Sequence, residues 1–121
     1  MINVSQYIGK PYKPNCRDGS GYDCYTLMLA IQRDMGLSPV DLFYEATKPE
    51  TRLDGIKKEL PKYERLVSAQ EGCVVVMYTE GIPQHVGIYL GKGLVVHATE
   101  ERGVVIDDIS LLKTEGVYKL K

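Results

Sequence analysis

Three residues of this 121-residue chain have the types that nucleophilic catalysis needs: Cys24, His85 and His97. Cys24 follows Asp23, which suits a helix N-cap because its carboxylate accepts the free backbone N–H groups of the first turn. Leu27, Met28, Ile31 and Met35 then recur at helical spacing, and Gly36 followed by Pro39 supplies a stop. The pattern predicts a helix from Cys24 to about Met35, with the cysteine in its first turn. There the exposed N–H groups and the positive end of the helix dipole favour thiolate over thiol. A base within reach would make that sulfur a nucleophile.

Both histidines of the chain lie in runs of strand character, twelve residues apart. Gly91-Lys92-Gly93 between them reads as a three-residue hairpin loop, with glycine where φ must be positive. On that register Leu90 pairs with Leu94, and His97 lies opposite Gly87. His85 then projects from the same face as His97, about 7–8 Å away between Cα atoms. Gly87, lacking a side chain, leaves the space between the rings open. Val86, Ile88 and Leu90, with Leu94, Val96 and Ala98, cover the other face, which packs on a core. A two-residue loop would change the parity and send the histidines to opposite faces. With the parity as read, His85 would hold Cys24 as a thiolate–imidazolium pair, and His97 would fix the ring of His85.

The elements that must position this set follow from the pattern around it. The chain up to Tyr22 is rich in turn formers (Gly9, Pro11, Pro14, Gly19 and Gly21), with a short helical or irregular segment from Val4 to Ile8. After Pro39 a polar and aromatic stretch leads to a second helical pattern from Pro49 to Leu60. Leu53, Ile56 and Leu60 share one side of it, and Pro61 closes it. From Tyr63 onward short β-branched runs take over: Tyr63–Val67, Val74–Tyr78, His85–Leu90, Leu94–Ala98, Val104–Asp107 and Val117–Leu120. Closely spaced strands with tight turns imply an antiparallel sheet. Helices first and strands after imply an α+β fold rather than alternating α/β. Neither a repeat nor a linker divides the chain, so residues 1–121 read as a single domain.

Composition narrows the function classes. The 44% apolar and 26% charged content is ordinary for a soluble globular protein. A net charge of −1 gives no reason to expect nucleic acid or an anionic membrane as partner. No run approaches the length of a transmembrane helix. The three cysteines have neither zinc-site nor disulfide-framework spacing. Met1-Ile2-Asn3-Val4-Ser5-Gln6-Tyr7 has neither a basic n-region nor an apolar h-region. The chain is therefore expected to be made in the cytoplasm with its cysteines reduced, leaving release by lysis or packaging into a virion open.

Asp23-Cys24, His85-Val86-Gly87-Ile88-Tyr89-Leu90-Gly91 and Val96-His97-Ala98, in that order, resemble the NlpC-type family of papain-like bacterial cysteine peptidases. Ile8-Gly9-Lys10-Pro11-Tyr12 is similar to that family's entry segment, and Glu71-Gly72-Cys73-Val74-Val75 to its glycine-led core strand. The resemblance covers Ile8 to about Ile109, leaves Pro39 to Pro61 unmatched, and is strongest to the compact versions found in phage-tail and prophage genes. It implies a papain-like α+β fold, a central antiparallel sheet with the nucleophile-bearing helix packed on it. It also implies Cys24 as nucleophile, His85 as general base and His97 as its orienting residue. Tyr12 matches the tyrosine that assists the Cys24 N–H at the oxyanion, and Asp23 and Tyr25, flanking the cysteine, are taken as substrate-binding. The implied reaction hydrolyses the amide between D-glutamate and a diamino acid in peptidoglycan stem peptides. It passes through a thioester acyl-enzyme and needs no cofactor or metal. Phage-tail proteins are the further partners this resemblance allows. Relatives on the same fold act as other amidases or acyltransferases, and a non-catalytic tail or interaction module would keep the fold without the activity. Two positions depart from the pattern: Tyr25-Thr26 stand where the family usually has Ser-Gly, and Gly72-Cys73 where its strand usually opens Gly-Asp.

Simpler readings of the same residues stand beside this one. Cys24 also fits a small buried residue on a core-facing helix. His85 fits a surface position after Pro83-Gln84, and His97 a core histidine satisfied by a carbonyl. Cys24, His85, His97 and Cys73 are all of types that zinc accepts. Cys16 and Cys73 read as packing residues, and Tyr12 equally as a packing aromatic. Glu100-Glu101 reads as a solvated loop that could meet a substrate amine, and Asp107-Asp108 as a turn signal.

Overall fold

Asp23 opens the first helix with a reciprocal capping box. Its carboxylate accepts from the Thr26 N–H at 2.8 Å, while the Thr26 hydroxyl accepts from the Asp23 N–H at 3.0 Å. Helix α1 (Cys24–Asp34) follows, one residue shorter than its predicted span. Helix α2 (Pro49–Glu59) begins with proline in its first turn, where no N–H is needed, and runs into a 3₁₀ turn at Leu60–Lys62. The computed structural model describes residues 2–43 and 48–121, so residues 44–47 of the polar stretch after Pro39 lie outside the described residues.

Six strands come after the helices: β1 (Tyr63–Leu66), β2 (Val74–Thr79), β3 (Ile82–Gly91), β4 (Leu94–Thr99), β5 (Gly103–Asp108) and β6 (Thr114–Leu120). They form one sheet in the order β1-β6-β2-β3-β4-β5, with antiparallel pairing throughout. This is the expected α+β arrangement. Strands β3 and β6 start three residues earlier than predicted, because Ile82, Pro83 and Gln84, like Thr114 to Gly116, extend the backbone without a β-branched run to announce it.

Helix α1 packs across β3 and β4, and α2 lies on β3. Leu27, Met28 and Ile31 meet Val74, Val76, Val86, Ile88, Val96 and Ala98 in the main core. Leu94, read as part of this face, is exposed at the hairpin tip. The sheet's other face carries a smaller cluster, Val75, Met77 and Val95, covered by Tyr89, Ile109, Leu112 and Val117. Strand β2 is thus buried from Val74 to Met77 without alternation. Among the described residues no helix is long and apolar enough to cross a membrane.

The β3–β4 hairpin differs from its expected form in a way that matters for the histidines. Gly91, not Leu90, pairs with Leu94, so only Lys92 and Gly93 turn the chain, all three with positive φ. Such a two-residue loop alone would reverse the parity. A bulge between Tyr89–Val95 and Gly91–Leu94 inserts one extra residue on β3 and restores it, so that Ile88 faces Val96 as predicted.

Candidate active site

The thiol and the imidazoles start on different layers. Cys24 belongs to the helix side of the sheet and is 5% exposed. His85 pairs with Met77 on β2, and strand alternation places it with His97 on the other side. The β3–β4 ladder ends at Ile88–Val96. Just beyond, the backbone N–H of Val86 lowers the proton affinity of the Cys24 sulfur. Cys24, His85 and His97 nonetheless line one cleft of about 230 Å³.

The rings touch directly. His85 Nε2 and His97 Nδ1 are 2.8 Å apart, and the ring centroids 5.0 Å. The space at Gly87 is therefore not open: a Cβ there would stand 2.8 Å from both Val95 Cγ1 and the Val96 carbonyl oxygen, and 3.1 Å from His97 Cβ. Glycine permits the close approach of β4 that brings the second ring to the first.

Asp107 on β5 extends the chain of contacts. His97 Nε2 is 2.7 Å from Asp107 Oδ2, and Arg102 holds the same carboxylate through Nη1 and Nη2 at 3.1 and 2.6 Å. That fork holds the Asp107 carboxyl down at about 2, so it only accepts. His97 therefore carries its proton on Nε2, and its Nδ1 accepts from the Nε2–H of His85. The lone pair of His85 is left on Nδ1. The carboxylate at the far end favours this order of protons along the relay.

Burial sets the resting charge state. It pushes the Cys24 thiol up to about 11, with the Asp23 charge adding to the effect, while the Val86 N–H and Arg52 oppose it. Burial also pushes His85 down to about 3, helped by His97 and by Arg52. Desolvation of both groups thus opposes the thiolate–imidazolium pair that the helix dipole favours. Desolvation outweighs a dipole whose effect is about 1 kcal/mol.

Tyr12 reaches the cleft because the N-terminal segment is pinned to β5. Gly9 N–H donates to the Val104 carbonyl at 3.1 Å, and Val104 N–H to the Lys10 carbonyl at 3.0 Å. Tyr12 then bridges Tyr22 in parallel, just before the helix. Burial and the neighbouring Cys24 and Asp23 raise its hydroxyl to about 12, so it stays a donor.

Asp23 and Tyr25, assigned to substrate binding from the sequence, lie outside the cleft. Asp23 is 1% exposed and spends its carboxylate on Thr26 N–H and, at 2.7 Å, on Asn15 N–H. Tyr25 is 2% exposed; its hydroxyl donates to Glu59 Oε1 at 3.1 Å and accepts from Leu42 N–H at 3.0 Å. Conversely, Arg102, Arg52 and Gln84 were not read as site residues in the sequence, and Asp107, read as a turn signal, lies in strand β5. Asp107 had a signal, since it alternates with Val105, the partner of His97. Arg52 had none, because α2 is far away in the chain. All three cysteines are free thiols. Among the described residues no group of three or more His, Cys, Asp or Glu side chains is placed to hold a metal ion.

Solved structures similar to this chain include the NlpC/p60 domain of peptidoglycan hydrolase SagA, with TM-score 0.68, 19% identity and coverage of 95% of this chain and 91% of that one. An NlpC/P60 family protein from Bacillus cereus gives TM-score 0.61 and 19% identity over 94% of this chain but only 36% of its own length. The P60 domain of an antigen from M. avium subspecies paratuberculosis gives 0.56 and 22%, covering 96% and 86%. At these identities the likeness is one of fold, the papain-like α+β arrangement. No curated protein sequence matches the chain. The NlpC/P60 family profile, however, matches residues 9–118, including the stretch left unmatched by motif, and the chain belongs to the NlpC/P60 family.

Proposed function

We propose that this protein is a cysteine amidase that hydrolyses the amide between D-glutamate and a diamino acid in peptidoglycan stem peptides. One observation carries the mechanism: the His85 Nε2–His97 Nδ1 contact at 2.8 Å leaves Nδ1 of His85 as the base in the cleft that Cys24 shares. His85 Nδ1 takes the thiol proton as Cys24 Sγ attacks the scissile carbonyl. The Cys24 N–H, a first-turn donor without an intrahelical acceptor, and the Tyr12 hydroxyl receive the oxyanion. Collapse breaks the C–N bond, and the His85 imidazolium gives its proton to the leaving amine. Water, deprotonated by His85, then attacks the thioester, and the thiolate departs to be reprotonated. Because burial disfavours both charged forms, proton transfer on this reading accompanies attack rather than preceding it. A phage-tail setting would bring such an enzyme to the wall, but the reading does not require one.

Incubating the protein with purified peptidoglycan and identifying new amine ends by mass tests this reading. New diamino-acid amine ends with wild type and none with Cys24→Ala are expected. The depth of Cys24, 5% exposed, favours the rival of an inactive scaffold or interaction module. A thiol-reactive probe that labels wild type at Cys24, and labels His85→Ala less, separates the two. Turnover of simple amides or acyl donors in place of wall fragments would instead indicate another amidase or an acyltransferase.

A further inference from the structure

Strand β5 holds the proton relay along one edge and the segment bearing Tyr12 along the other. On its inner edge Val105 pairs with His97, and Asp107 reaches the ring of that same histidine. Its outer edge receives the N-terminal segment at Val104, whose N–H donates to the Lys10 carbonyl and whose carbonyl accepts from the Gly9 N–H. Tyr12 follows directly after Pro11 and is flanked on the helix side by two more backbone bonds. The Tyr22 N–H donates to the Pro11 carbonyl at 3.0 Å, and the Lys13 N–H to the Tyr22 carbonyl at 3.1 Å. Residues 9–13 thus form a strap from the sheet edge to the chain entering the Cys24 helix.

We infer that Gly103 is a positioning residue for the reaction: it lets the backbone of Lys10 and Pro11 lie directly on β5 and so places the Tyr12 hydroxyl in the cleft. The inference rests on Tyr12 serving the oxyanion, as in the reading above, and goes beyond it to what sets that donor. Gly103 is buried, with φ of 71°. A Cβ there would drive into the Lys10 carbonyl oxygen and stand 3.4 Å from both the Lys10 carbonyl carbon and the Pro11 Cα. These are backbone atoms, so the strap itself must retreat, by roughly 1 Å to reach ordinary contact. Pro11 fixes its own φ and keeps Lys10 extended, so little of that shift is absorbed before Tyr12. An oxyanion donor works only at hydrogen-bond distance, and misplacement by about 1 Å costs on the order of 100-fold. The preceding residue, Arg102, grips Asp107, so two consecutive residues serve the relay and the donor in turn.

The test is a double-mutant cycle on wall peptides with Tyr12→Phe, Gly103→Ala and the pair, at a temperature where urea titration shows each variant folded. Tyr12→Phe is expected to lower kcat about 10- to 100-fold with KM changed about twofold or less, and Gly103→Ala to match it within about threefold. The pair should lose no more than about threefold beyond Tyr12→Phe alone, since a donor already missing cannot be misplaced. In Gly103→Ala the Val104 amide should exchange faster while the β4–β5 ladder stays protected. Gly93→Ala reproduces the strain at a φ of 80° with open space around its Cβ, and should keep wild-type kcat. If Gly103→Ala does not fold, Gly21→Ala takes its place in the cycle, because its Cβ crowds the Pro11 carbonyl oxygen at 2.7 Å from the helix side. Losses that multiply in the pair, an unchanged Val104 amide, or full activity in Gly103→Ala beside an impaired Tyr12→Phe overturns the assignment. A fully active Tyr12→Phe would remove Tyr12 from the oxyanion, and this inference with it. Wild type that cleaves no wall peptide would overturn the amidase reading itself.

Discussion

His97 donates through Nε2 to Asp107 Oδ2 across 2.7 Å, and this bond decides which nitrogen of each ring can act as a base. Asp107→Asn can offer an N–H in place of the acceptor, which would favour a His97 proton on Nδ1, facing the Nε2–H of His85. A fall of about 100-fold in kcat with KM changed about twofold or less is expected on wall peptides. Arg102→Ala should cost about threefold or less, because the arginine end of its ion pair is exposed and the carboxylate stays ionised without it. Steady-state kinetics of the two variants check this; equal losses would mean that Asp107 serves only to hold the loop.

Cys24 should alkylate slowly at neutral pH. Burial holds its thiol near 11, so the thiolate fraction grows only as pH rises beyond the ordinary cysteine range. Iodoacetamide rates measured between pH 5 and 10 in a Cys16→Ser, Cys73→Ser background are expected to climb steadily on the alkaline side. A flat, fast rate from about pH 5 upward would instead indicate a standing thiolate–imidazolium pair.

The division of this fold into helices and sheet was legible because each element carries its own period: Leu27, Met28 and Ile31 on α1, and the β-branched runs of the strands. The same-face placement of His85 and His97 was also legible, but by a route the loop length alone misstates, since a bulge compensates for the shorter turn. The resting charge state was not. Helix-dipole reasoning is local, whereas the desolvation of Cys24 depends on layers packed around it from distant parts of the chain. Asp23 and Tyr25 illustrate the same limit. Their neighbours in sequence suggested a substrate contact, yet Asn15, Glu59 and Leu42 engage them in three dimensions.

Gly87→Ala should separate the two rings. A Cβ would press on the Val96 carbonyl oxygen at 2.8 Å, and backbone cannot yield as a flexible side chain does. Movement of β4 away from β3 would lengthen the His85–His97 contact. A stability loss of about 1–3 kcal/mol in denaturant, with kcat falling by more than the unfolded fraction explains, is expected. Full activity in a destabilised variant would show that the ring contact is dispensable.

Tyr25→Phe should act on stability rather than on substrate. Removing the hydroxyl takes a partner from Glu59 Oε1 and from Leu42 N–H, at a cost of about 1–3 kcal/mol. Urea midpoints should drop while KM for wall peptides stays within about twofold. A raised KM at unchanged stability would restore Tyr25 to the substrate site.

His85 should make the fold sensitive to acid. Its pKa lies near 3 in the folded protein and near 6.5 when unfolded, so between those values the unfolded chain binds more protons. Stability therefore rises with pH across this window, and is lost as pH falls from about 6.5 toward 3. The contribution is on the order of a few kcal/mol, with about 5 kcal/mol as its upper bound. Carboxylates that titrate in the same range are common to wild type and His85→Gln, so the difference between their urea midpoints isolates the histidine. The wild-type advantage should be largest near neutrality and shrink through pH 5 to 4. A constant difference across that range would mean that the ring is already protonated in the folded state, which the relay to His97 and Asp107 would then have to accommodate.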